Sequence, residues 1–151
     1  MPTLRTLLIL RECRNRRTPD LLVYKDTVGV LTVGIGHKVL APDKLKFGDR
    51  IDIGRANAFY KADTARAVAA AKRQAAKAGI TNGQFVIALA AVNFQLGTRW
   101  YTKLKKTWRL MLDGDYPAAA AEAARSKWNG QSRLRVRDFQ KALLALDPPT
   151  A

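Results

Sequence analysis

The hydrophobic positions change their period near Leu21, and that change organises the first third of the chain. Leu4, Leu7 and Leu8 recur at helical spacing, and the polar, proline-containing stretch RNRRTPD predicts that a first helix from Thr3 ends at about Cys13. Glu12 then stands near the C-terminal end of that helix. From Leu21 to Leu40 the sequence turns to β-branched residues, glycines and short apolar runs, with DTVG as a turn between two strands. Alternation along the second strand predicts Leu31, Val33 and Ile35 on one face and Val30, Thr32 and Gly34 on the other. Thr32 is therefore expected to point away from the apolar trio.

After the loop APDKLKFGDRID, Asp52 or Gly54 is placed to cap a long helix running to about Ala78, with Gly79 as its stop. The segment QFVIALAAVNFQLG is apolar all round until Asn93 and Gln95, the pattern of a central buried helix whose polar end opens on a cleft. A helix from Trp100 to Leu112 is expected from the stripe Trp100, Leu104, Trp108 and Met111. Another, from about Tyr116 to Trp128, is opened by Asp115 and Pro117, and a last one from Ser132 buries Val136, Phe139, Leu143 and Leu146. No internal repeat is present, and AAAAEAA is the one low-complexity run.

Composition narrows the class. A chain of 151 residues fits one domain that buries roughly 68–70% of its unfolded surface. The single Cys13 forbids an internal disulfide and suits a reducing compartment. No segment approaches the roughly 20 apolar residues of a membrane helix, and TLLIL is too short for a signal sequence, so the sequence predicts a soluble protein without a membrane anchor. The 27 Lys and Arg against 12 Asp and Glu leave a formal charge of +15, spread over the whole sequence with small clusters at RECRNRR, KLKK and RLRVR and no tail-like block. Such a field steers the molecule toward polyanions: nucleic acid, anionic lipid or an acidic cell wall.

The acids outside evident caps, turns and helix surfaces are Glu12 and Asp26. A helix-end Glu packed under a hairpin is partly desolvated and holds its proton for a leaving group, whereas an Asp at a hairpin tip is wetter and stays ionised. Two carboxyls in unequal surroundings are what glycoside hydrolysis requires. Each residue also has a plain reading on spacing alone. Glu12 is equally a solvent-facing helix residue, Asp26 a turn-former that bonds its own backbone, and Thr32 an ordinary strand threonine. His37 is the one histidine and has no second histidine or cysteine pair beside it, so no metal site is predicted.

The run "E...YKDTVGVLTVGIGH" resembles the active-site region of the phage T4-type lysozymes, glycoside hydrolase family 24. The resemblance continues in order through AVNFQLG, SKW and NGQSRLRVRDF and so covers nearly the whole chain. It implies an α+β, lysozyme-like fold: one domain over 1–151, with a small β-hairpin lobe at about 14–55 and a larger helical lobe at about 56–151. A long helix joins the lobes, the first helix packs near the cleft, and the active-site cleft lies between them. It implies Glu12 as general acid, Asp26 as the acidic residue across the scissile bond, and Thr32 as the hydroxyl that helps hold the attacking water. Gly34 and Gly36 permit close backbone approach, with Gly34 counted among the substrate-binding residues. Asn93 and Gln95 are expected to line the cleft, with Gln131 and Arg135 beyond Trp128 and Arg135 as the cation near Glu12; the plain readings are a capped helix end and a surface arginine. His37 is expected to pair structurally with Asp63.

The sequence departs from the family between Glu12 and Tyr24, where CRNRRTPDLLV is longer than the usual link and Cys13 stands where a glycine commonly follows the Glu. The activity implied is an inverting muramidase cutting the β-1,4 bond between N-acetylmuramic acid and N-acetylglucosamine, without metal or organic cofactor. Its partner is bacterial peptidoglycan, with anionic cell-surface polymers as secondary partners and no specific nucleic acid. A monomer is expected, waiting in the host cytoplasm for release through a separate pore or carried in a virion. The competing readings are a lytic transglycosylase on the same bond, a basic nucleic-acid-binding domain, and a Cys–His amidase using Cys13.

Overall fold

A computed structural model describes residues 3–149. They form seven α-helices and one small antiparallel sheet, an α+β fold. The chain divides into two compact units, one ending at Ala65 and the other beginning at Arg66.

In the first unit, helix α1 spans Leu4–Glu12, and the Thr3 side chain caps it by accepting from the Thr6 amide at 3.1 Å. Leu8 is its buried residue. The link that follows is tied by local polar bonds. Arg14 donates to Asp20 from its backbone amide and its Nε, both at 3.0 Å, while the Asn15 side-chain oxygen accepts from the amides of Arg17 and Thr18. Strands β1 (Asp20–Lys25), β2 (Leu31–Gly34) and β3 (His37–Lys38) form the sheet in that order. The third strand is an addition to the two-stranded hairpin expected from the sequence. Its tight entry is made by Gly34 and Gly36, both with positive φ, a conformation that side chains beyond glycine resist.

Tyr24 pairs with Thr32, Thr32 with Lys38, and Val33 with His37. The other edge of β1 is covered by the loop after β3, where the Val23 amide donates to the Asp49 carbonyl and the Ile51 amide to the Leu21 carbonyl, both at 2.8 Å. Val23, Val33, Ile51 and Ala56 form the core here, with Leu21, Leu31, Val39, Leu45 and Phe59 packed on it. The expected alternation along β2 gives way to burial on both faces. Val33 and Ile35 are buried, but so are Thr32 and Gly34, while Val30 is exposed. The sheet is small enough for elements on both sides to cover it: Gly34 faces Ala56 and Gly36 faces Glu12.

Helix α2 (Ile53–Lys77) starts as the sequence predicts, with Asp52 accepting from the Arg55 amide at 2.7 Å. It stops at Gly79, whose φ is +71°, with the Ile80 amide reaching back to the Ala75 carbonyl.

The second unit contains α3 (Gly83–Leu96), α4 (Lys105–Leu112), α5 (Tyr116–Ala124), α6 (Lys127–Gln131) and α7 (Arg133–Leu144). Two expected helices are shorter than the hydrophobic stripe implies. Residues Trp100–Thr102 form a separate 3-10 turn, because Trp100 is fixed in the core: its indole donates to Gln74 and its ring meets Trp108 and Phe139 edge-on. The helix opened by Asp115 ends at Ala124, and Ser126 turns the chain by donating to the Ala123 carbonyl, so Trp128 sits in the separate helix α6. Val136, Phe139 and Leu143 are buried as expected, whereas Leu146 lies beyond the end of α7 and is half-buried. Phe139 also touches Phe85 and Trp128, which makes it the centre of an aromatic cluster. No helix among the described residues is long and apolar enough to cross a membrane.

One buried polar network holds the start of this unit. Gln74 and Asn93 exchange two amide bonds, at 2.8 and 3.0 Å, and Gln74 also serves the Trp100 indole and the Thr98 carbonyl. Replacing Gln74 by Ala strips partners from both Asn93 and Trp100 and is expected to cost about 2–4 kcal/mol, the penalty for two buried polar groups left unmade. Urea unfolding should show it as a lower midpoint at unchanged slope; an unshifted midpoint would mean that the network adds nothing to stability.

Candidate active site

The first unit gathers Glu12, Asp26, Thr32, Gly34, His37 and Asp63; Asn93, Gln95, Gln131 and Arg135 belong to the second. Glu12 closes α1, and its side chain lies flat against the β2–β3 turn. A β-carbon built on Gly36 would fall 2.7 Å from Oε2 and 2.8 Å from Cδ and Cγ of Glu12. Real β-carbons do not approach so closely, so the glycine is what lets this carboxyl reach the sheet. The Tyr24 hydroxyl donates to the backbone carbonyl of Glu12 at 3.3 Å. Burial first, then the nearby Asp20 and Glu12 charges, pushes Tyr24 up to about 12, which keeps it protonated and able to donate.

Asp26 opens the β1–β2 turn. Its Oδ1 accepts from the amides of Val28 at 3.0 Å and Val30 at 2.8 Å, and Lys38 donates to Oδ2 at 2.7 Å. The Lys38 bond first, and the Val30 amide next, hold this carboxyl below the usual carboxylate range. The turn-forming use of Asp26 and an ionised carboxylate thus coexist. Thr32 is 1% exposed, and its hydroxyl donates to the Val30 carbonyl at 2.9 Å, leaving its oxygen free only to accept. Gly34 packs against Ala56, and its carbonyl accepts from the Cys13 thiol at 3.6 Å.

Burial, followed by the Asp20 charge, pushes Cys13 up to about 11, so the thiol is inert near neutrality. The histidine is equally occupied. His37 places Nδ1 2.7 Å from Asp63 and Nε2 2.8 Å from Asp43, and its ring stacks on Phe59 at 3.8 Å. A Cys–His nucleophile pair is absent from this geometry.

In the second unit, Asn93 is 2% exposed and bonded to Gln74 and to the Leu89 carbonyl, so its amide faces the interior. Gln95 accepts from the Trp128 indole at 2.9 Å and donates to the Ser132 hydroxyl at 2.7 Å, which splices the end of α3 to the α6–α7 corner. Gln131 is exposed at the end of α6, and Arg135 is half-buried on α7. Three residues that shape the first unit's site escaped the sequence reading: Tyr24, Lys38 and Asp43. Only cross-strand register would have signalled Lys38, since it stands opposite Thr32.

The two carboxylates around His37 make stability depend on pH. Burial works to lower the His37 value, but hydrogen bonds donated to the Asp63 and Asp43 carboxylates outweigh it and raise the value above the ordinary one. Asp43 is lowered: burial opposes this, while the Leu40 amide and His37 favour the carboxylate. The histidine's contribution is therefore complete below the unfolded value of about 6.5 and fades as pH rises through the folded value. The Asp43 contribution is present above its unfolded value of about 3.9 and is lost as pH falls through its lower folded value. A double-mutant cycle of His37→Gln with Asp63→Asn should give a coupling that is larger at about pH 5.5 than at about pH 9. Equal coupling at both would refute a protonated histidine.

A model of the phage lysozyme family matches residues 19–139, a span that holds Asp26, Thr32 and His37 and begins after Glu12. The peptidoglycan hydrolase gp36 of Pseudomonas phage phiKMV is 30% identical over 120 residues, which cover 80% of this chain and 13% of that protein. The chain thus aligns with a small part of a much longer relative. With four fifths of its length matched by the family, this chain belongs to the phage lysozymes.

Proposed function

We propose that this chain is an endo-acting muramidase that hydrolyses the β-1,4 bond between N-acetylmuramic acid and N-acetylglucosamine in bacterial peptidoglycan. The observation that carries the proposal is the pair of unlike carboxyls in one unit. Glu12 is pressed on Gly36 at the sheet turn, and Asp26 is held ionised by Lys38 and two amides. One acid to protonate the leaving oxygen and one carboxylate to activate water is the division of labour that glycoside hydrolysis uses. The +15 charge supports capture of an anionic wall, and a phage relative named as a peptidoglycan hydrolase supports the substrate class.

In this mechanism Glu12 gives its proton to the glycosidic oxygen as the bond to the anomeric carbon breaks. Asp26 accepts a proton from the attacking water. Thr32, whose hydroxyl donates its hydrogen bond to the Val30 carbonyl, accepts a hydrogen bond from the water's second O–H and so helps orient a lone pair toward the anomeric carbon. Water between Asp26 and the sugar gives inversion, whereas direct attack by Asp26 would give retention.

The test is digestion of purified peptidoglycan with the wild type and Glu12→Gln, with product ends identified by mass spectrometry. Reducing muramic ends are expected, with a loss of roughly a hundredfold or more in rate for a folded Glu12→Gln protein. Anhydro-muramic ends would assign a lytic transglycosylase instead, and comparable turnover by the variant would remove Glu12 as the acid. Proton NMR of a fresh digest should show the α anomer first; an initial β signal would recast Asp26 as a nucleophile.

A further inference from the structure

Lys38 enters the site through strand register. Tyr24 stands opposite Thr32, and Thr32 opposite Lys38; directly opposed residues of an antiparallel ladder project to the same face. One row across the sheet therefore carries Tyr24, which donates to the Glu12 carbonyl, then Thr32, then Lys38, which donates to Asp26. The row links both carboxyl-bearing segments to the threonine between them.

A carboxylate oxygen accepts along two lone-pair directions. At Asp26 the two turn amides occupy Oδ1, and Lys38 occupies one direction of Oδ2. A single acceptor direction then remains for water. We propose that Lys38 is a positioning residue for Asp26, holding Oδ2 so that the carboxylate presents one site, and one orientation, to the attacking water; this rests on the muramidase reading. Without Lys38 two directions on Oδ2 are open, water divides between them, and the aligned fraction falls.

Lys38 is 53% exposed and Asp26 19%, and an ion pair so close to solvent adds little to folding, so removing it should leave the fold intact. Lys25 precedes Asp26 as an exposed residue at the end of β1, β2 presents the uncharged Thr32, and the turn contributes the Val28 and Val30 amides. Lys38 pairs with the carboxylate directly, its Nζ 2.7 Å from Oδ2. It also favours the ionised form, which extends activity toward lower pH.

The full chain and its Lys38→Met and Lys38→Arg variants should be compared in two ways. Asp26 is titrated by carboxyl carbon NMR, and kcat and KM are measured against pH on short glycan strands freed of stem peptides. Lys38→Met is expected to raise the Asp26 midpoint, move the acid limb of kcat to higher pH, and lower the plateau kcat roughly tenfold with KM within about twofold. Lys38→Arg should restore all three. An unchanged Asp26 midpoint, or an acid limb that stays in place while the midpoint moves, would overturn the positioning role. A general loss of field strength would instead raise KM at every pH and leave the limb where it was, which also counts against it. If the wild type cleaves no glycan strand, the muramidase reading fails and takes the reaction role with it, while the titration still reports whether Lys38 holds Asp26.

Discussion

The close approach of Glu12 to Gly36 is the constraint around which the first unit is arranged. The first helix ends with its last carboxyl against a sheet turn, and a side chain at Gly36 would push that carboxyl away. The turn must therefore carry glycine, and its positive φ needs one for a second reason. The Tyr24 hydroxyl secures the backbone at the helix end, and the Arg14–Asp20 bonds fix the longer link that follows. A lengthened connection is thermodynamically inexpensive when its two ends are pinned in this way. Cys13, placed where the family commonly has glycine, is absorbed as a buried residue whose thiol reaches the Gly34 carbonyl.

The buried polar side chains of both units are held by complete satisfaction of their hydrogen bonds. Among the described residues no buried side-chain nitrogen or oxygen lacks a partner. His37 is sandwiched between two carboxylates on a phenylalanine face, and Gln74 serves three neighbours at once. Such networks specify geometry, because a displaced member strands its partners in a medium that cannot solvate them. Asn93 illustrates the consequence. Its polarity at the end of an apolar helix looks like a ligand contact, yet its amide closes a ring with Gln74 inside the protein.

Local signals carried much of the architecture. The cap at Asp52, the stop at Gly79, the Asp115 start and the DTVG turn were legible because each depends on a few adjacent residues and on backbone sterics. The candidate site was legible only in part. Glu12 at a helix end and Asp26 at a turn follow from local pattern, but their association with a sugar-cleaving family came from the order of several motifs together. The helix breaks at Trp100 and Ser126 were not legible, since an apolar stripe continues through both.

What the sequence determined by itself was the local grammar: where helices begin and end, where glycine is required, and which acids are available. The tertiary structure decided which groups meet. It buried Thr32 on the face opposite the apolar trio, gave Asp26 a lysine from a strand that periodicity did not reveal, and gave His37 a second carboxylate from a 3-10 turn. The physical reason is range. Caps and turns are settled within a few residues by φ, ψ and one or two hydrogen bonds, whereas burial and charge pairing depend on neighbours brought together by strand register and packing, which no window of sequence contains.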